Sequence, residues 1–68
     1  MRLIVDCVTS EDWPDELTIG DLLKLKSIEP VPWLVISVND VFYRNNEFDK
    51  IYLKEDDKVE LVYIRGGG

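Results

Sequence analysis

Two apolar stretches whose charged residues recur with a period of two stand at opposite ends of this 68-residue chain. From Arg2 to Val8, Arg2, Ile4 and Asp6 alternate with Leu3, Val5 and Cys7; from Lys58 to Arg65, Glu60 marks one face while Val59, Leu61 and Tyr63 take the other. A period of two is the signature of a half-buried strand. The charged members place Leu3, Val5 and Cys7, and then Val59, Leu61 and Tyr63, on the inward side. Ile4, Val62 and Ile64 are left as apolar residues on the outer side. A chain this short builds one modest core with no room for an internal substrate cavity. Its two most apolar strands therefore belong side by side in the centre of one sheet.

The residues between them must cover one face of that sheet and bring the chain back. Thr9 to Asp12 are polar turn formers, and Trp13 to Leu17 reads as a short returning strand, with Pro14 indicating an edge. Trp13 is placed as a lid on the rim of the core. Thr18-Ile19-Gly20-Asp21 opens a helix: Thr18 is an N-cap, and Asp21 stands where a capping box prefers Glu or Gln. Ile19, Leu22, Leu23 and Leu25 supply its core residues, and Lys24 and Lys26 lie at the end that favours cations. Pro30 and Pro32 forbid further helix. Trp33 to Val38 is the next strand. Ser37 marks its outer face, so Leu34, Ile36 and Val38 point inward and Val35 outward. Asn39-Asp40 is a turn, Val41 to Tyr43 pairs back, Phe48 anchors a polar loop, and Lys50 to Leu53 is a further extended piece. Glu55-Asp56-Asp57 lacks the additional oxygens and the glycine of a calcium loop and reads as a solvated turn. The sum is a two-layer α+β domain over residues 1–65, a mixed sheet of four to five strands on one short helix, with residues 66–68 as a flexible tail.

Composition narrows the function. Fourteen acidic residues against eight basic ones give a net charge of -6. Nucleic acid would repel such a surface, whereas a basic protein partner suits it. There is no histidine, hence neither the usual general base nor the commonest metal ligand. Cys7 is the only cysteine, which fits a reducing cytoplasm, and its inward position reads as structural rather than reactive. No apolar run approaches the roughly 20 residues that span a bilayer. The chain is expected to be cytoplasmic and monomeric when free.

The chain ends Arg65-Gly66-Gly67-Gly68, and these three glycines are three of its four. Without a Cβ such a segment adds nothing to a core, but it can thread a narrow channel and present a carboxylate to another protein's active site. The element order with this tail resembles the β-grasp, ubiquitin-like sulfur carriers of the ThiS and MoaD type. Met1-Arg2-Leu3-Ile4-Val5 is similar to their opening strand, and Thr18-Ile19-Gly20-Asp21-Leu22-Leu23 to their Thr-x-x-x-Leu-Leu helix start. Val35-Ile36-Ser37-Val38-Asn39-Asp40 resembles Val-x-Val-Asn-Gly, Asp56-Asp57-Lys58-Val59-Glu60-Leu61-Val62 resembles Gly-Asp-x-Val-Glu-Ile, and Gly67-Gly68 matches the terminal pair. Asp40 and Asp56 stand where glycine is usual, and residues 9–17 follow no family pattern. The resemblance is closer to ThiS by length.

The resemblance implies a sulfur carrier and not an enzyme. Gly68 would be the reacting residue, with Gly67 and Gly66 giving close backbone approach. An adenylating partner would bring ATP and Mg²⁺, convert the Gly68 carboxylate to a thiocarboxylate, and pass it to a sulfur-accepting synthase of thiamin thiazole or similar biosynthesis. No cofactor or metal would be held by the chain itself. The other reading is a ubiquitin-like modifier joined through Gly68 to lysines; a third is an interaction domain with an inert tail. Ile4, Val35, Val62 and Ile64, all assigned to the outer face, are expected to form one partner-docking patch if their strands are adjacent, with Arg65 at the channel mouth.

Overall fold

The computed structural model describes residues 1–64; Arg65, Gly66, Gly67 and Gly68 lie outside the described residues, and with them the boundary expected between domain and tail. Five strands and one helix follow in the order β1 (Leu3–Val5), β2 (Val8–Ser10), α1 (Ile19–Leu25), β3 (Leu34–Val38), β4 (Val41–Tyr43) and β5 (Lys58–Tyr63). They form one mixed sheet in the order β2-β1-β5-β3-β4. The first and last strands lie side by side and parallel, Val5 level with Val59, while β3 runs antiparallel to β5 from Val59 to Tyr63. α1 crosses one face. Ile19, Leu22 and Leu23 meet Leu3, Val5, Leu34, Ile36, Val38 and Val59 there, and Leu17, Phe48 and Leu53 complete the cluster. Trp13 packs against its rim, as expected.

The helix start forms as its sequence indicates, and more completely. Thr18 Oγ1 accepts from the Asp21 backbone N–H at 3.1 Å, and Asp21 Oδ2 accepts from the Thr18 N–H at 3.2 Å. The shorter Asp side chain thus closes both halves of the box. Asp40 and Asp56 keep the left-handed backbone that glycine would take, with φ of 70° and 68°. Asp is among the few residues that tolerate this region. Neighbouring side chains brace both turns: Asn39 Nδ2 donates to Asp57 Oδ1 at 2.8 Å, Asn39 Oδ1 accepts from the Lys58 N–H at 3.0 Å, and Arg2 pairs with Asp56.

The N-terminal third departs from the sequence reading. The strand expected over residues 2–8 is broken by a two-residue turn at Asp6-Cys7, where φ is 48° and 69°. Val8–Ser10 folds back on β1, with Val5 opposite Val8. Positive φ at both central positions matches the right-handed twist of the flanking strands. Asp6 explains why the chain turns there. Its backbone N–H donates to the Val59 carbonyl at 2.9 Å, and its Oδ1 accepts from the Leu61 N–H at 3.0 Å. The carboxylate satisfies the next donor on β5 after the β1 backbone has left. Cys7 is consequently exposed at the turn and not a core residue. The place of the second strand is taken by Val8–Ser10, so Trp13–Leu17 is irregular and not a strand. Leu25 and Tyr63, expected inside, are 59% and 53% exposed, because Leu25 ends the helix and Tyr63 lies at the far end of β5.

Candidate functional site

The sheet face opposite α1 carries the residues singled out for docking. Val35 and Val62 are directly opposite one another on β3 and β5. Ile64 follows on the same side two residues further on, and its N–H donates to the Trp33 carbonyl at 2.8 Å, extending the ladder beyond β5. Val35 faces outward as expected but is only 6% exposed, because the central strands and their neighbours close over it; Val62 and Ile64 are exposed. Pro32, Trp33, Val35, Arg44 and Ile64 line a shallow groove of about 340 Å³. Its floor is apolar, and Arg44 is the charge on its wall.

Ile4 does not join this group. It stands level with Lys58 on one side and Thr9 on the other, at the start of β5. Val62 lies four positions beyond Lys58, about 13 Å along a strand. Val35, Val62 and Ile64 therefore make one patch at the end where the chain leaves for its C-terminus, and Ile4 lies at the opposite end of the face, partly buried. Arg65 and Gly66 to Gly68 lie outside the described residues.

Three residues of this face escaped the sequence reading. Trp33 is 55% exposed, and Phe42, opposite Ser37, is 64% exposed. Arg44 follows Phe42 by two residues. The signal for all three was available. Trp33 shares the parity of Val35, and a two-residue turn at Asn39-Asp40 fixes Phe42 opposite Ser37.

Among the described residues no group of three or more His, Cys, Asp or Glu side chains could hold a metal ion, and no helix is long and apolar enough to cross a membrane. The only thiol, at Cys7, lies in the β1–β2 turn, with no histidine in the chain to activate it.

A single helix clasped by a mixed sheet whose first and last strands pair in parallel defines a β-grasp domain. A family profile, the ThiS family, matches residues 2–68. The crystal structure of a thiamine biosynthesis protein (ThiS) from Geobacter metallireducens superposes with a TM-score of 0.84 at 28% identity, over 100% of both chains. The solution structure of a thiamine biosynthesis protein from the same organism gives 0.76 at 26%, over 100% of this chain and 88% of that one. A comparison with curated protein sequences returns no significant match. The chain belongs to the ThiS family, a family of β-grasp sulfur carriers.

Proposed function

We propose that this protein carries sulfur for thiamine biosynthesis as a thiocarboxylate on Gly68. The observation that carries the reading is the extent of the family match, which runs through the last glycine and so includes the tail as well as the fold. In the proposed cycle an adenylating enzyme supplies ATP and Mg²⁺. A Gly68 carboxylate oxygen attacks the α-phosphorus, pyrophosphate leaves, and an acyl adenylate forms. A sulfur nucleophile then adds to the acyl carbon and AMP departs with the bonding pair, leaving the thiocarboxylate. Activation is needed because a free carboxylate has no good leaving group. A sulfur-accepting synthase takes the sulfur, and an oxygen from water or from the acceptor replaces it to restore the carboxylate.

The chain's own part is to be held and to reach. The patch of Val35, Val62 and Ile64, widened by Trp33, gives the adenylating enzyme an apolar footing beside the point where the tail begins. Docking there and insertion of Gly66-Gly67-Gly68 would occur together, with Arg65 at the channel mouth. The test is partner-dependent ATP–pyrophosphate exchange with the full chain and with a variant lacking Gly68. The variant should remain folded, since a terminal glycine without a Cβ adds nothing to a core, and exchange should vanish. Undiminished exchange without Gly68 would overturn the proposal.

A further inference from the structure

The segment that follows no family pattern builds a second surface on the opposite side of the sheet. It is tied at its middle and at its end: the Met1 backbone nitrogen donates to the Trp13 carbonyl, and the Leu53 N–H donates to the Leu17 carbonyl at 2.7 Å. Between these ties the chain passes the C-terminal end of α1. The other apolar residues of α1 are buried, whereas Leu25 is not. Leu25 and Pro14 form the common wall of two adjoining depressions of about 330 and 350 Å³. Trp13 extends the apolar floor of one, and its indole Nε1 is buried with no hydrogen-bond partner among the described residues. Around this floor stand Asp12, Asp15, Glu16 and Asp21; the Met1 ammonium lies 3.8 Å from Asp15 and the Thr18 N–H engages Asp21, so Asp12 and Glu16, with Lys24 nearby, are the carboxylates left for a partner.

We propose that this trough docks a basic segment of a partner protein, with an apolar side chain against Leu25 and Pro14 and flanking Lys or Arg side chains on the carboxylates. Charge selects this occupant. At a net charge of -6, a second copy would bring the same acidic rim to its twin, and nucleic acid or an anionic membrane surface would be repelled. The apolar floor adds what a bare acidic rim lacks, a surface that gains by losing water. The trough lies on the α1 side of the sheet and Val35, Val62 and Ile64 on the other, so a partner seated here leaves the tail-side patch open. The inference does not rest on the sulfur-carrier reading.

The full ¹⁵N-labelled chain, titrated with two synthetic amphipathic helical peptides sharing one leucine pattern, tests it by NMR. One peptide carries Lys beside the leucines and the other Glu. The Lys peptide should shift the Trp13 indole N–H and the amides of Asp12, Glu16 and Leu25, and its binding should weaken as salt is raised. Leu25→Gln, and separately the double variant Asp12→Lys with Glu16→Lys, should each weaken it at least tenfold. All three positions are exposed, so both variants should keep the dispersed spectrum of the folded domain, whereas Val62→Asp should bind the peptide unchanged. No shift at millimolar peptide, shifts confined to the outer sheet face, equal binding of the Glu peptide, or self-association abolished by Leu25→Gln would each overturn the proposal.

Discussion

Leu34, Ile36 and Val38 alternate along β3 with Val35 and Ser37, and all five are buried, yet the two sets are covered differently. The inward set lies beneath α1 in a closed cluster with Phe48, Leu53 and Val59. Among the described residues the outward set has no layer above it. Val35 and Ser37 are covered there by the side chains around them, among which Trp33, Phe42, Val62 and Ile64 remain exposed. One face is finished and the other has a closed floor and an open rim. Similar aliphatic residues thus hold the domain together on one side and stand at an exposed apolar surface on the other.

Substitutions on the two faces should therefore fail in different ways. The largest effect belongs inside. Ile36→Ala should cost about 2–5 kcal/mol through lost burial and the cavity left behind. A core of this size supplies no more than about 3–5 kcal/mol, so the variant should be largely unfolded in a urea titration, and a fully cooperative native transition would contradict the assignment. On the outer face Val62→Asp should stay folded and weaken binding to the adenylating enzyme by about 2 kcal/mol, the scale of an interface hot spot. Titration calorimetry reads the second effect and the amide spectrum the first. Unchanged affinity, or loss of fold, would erase the distinction between the faces.

Smaller effects fall on the devices that brace the helix start and the turn at Asp56. Thr18→Ala removes one bond of the capping box and should lower stability by about 1 kcal/mol, seen as a shifted urea midpoint with an unchanged slope. The smallest effect concerns Asp56. The side-chain hydrogen bond from Arg2 holds its carboxyl below the usual carboxylate range. A carboxyl whose value is lowered on folding stabilises the native state above the unfolded value and loses that contribution as pH falls through the folded one. The Arg2–Asp56 pair is solvent-exposed, so the change is slight. Arg2→Gln should flatten the acid limb of stability below the usual carboxylate range and leave neutral stability nearly unaltered. An acid limb identical to the parent's would show that the pair contributes nothing.

The finished face was largely legible in the sequence. Period-two alternation placed Leu3, Val5, Leu34, Ile36, Val38 and Val59 inside, Thr18 and Asp21 marked the helix start, and the most apolar strands fell together at the centre. What was missed is local and physical. Alternation continues unbroken through Asp6 and Cys7, so it cannot distinguish one strand of seven residues from a hairpin in which Val8 returns opposite Val5. The deciding contact, Asp6 Oδ1 with the Leu61 N–H, is 55 residues away in sequence. Ile4 was grouped with Val62 because face was legible and register was not. Parity gives the side of the sheet, whereas the parallel pairing of Ile4 with Lys58 sets the position along it.

In the proposed function the outer face and the tail serve a carrier whose cargo is sulfur on Gly68. A mass spectrum of the intact protein isolated from its native cell tests this most directly. The account predicts a population in which one oxygen of the Gly68 carboxylate is replaced by sulfur, localised to the C-terminal peptide and lost when Gly68 is deleted. Gly68 found only as carboxylate under conditions of active thiamine synthesis, or joined by isopeptide bonds to lysines of other proteins, would contradict it.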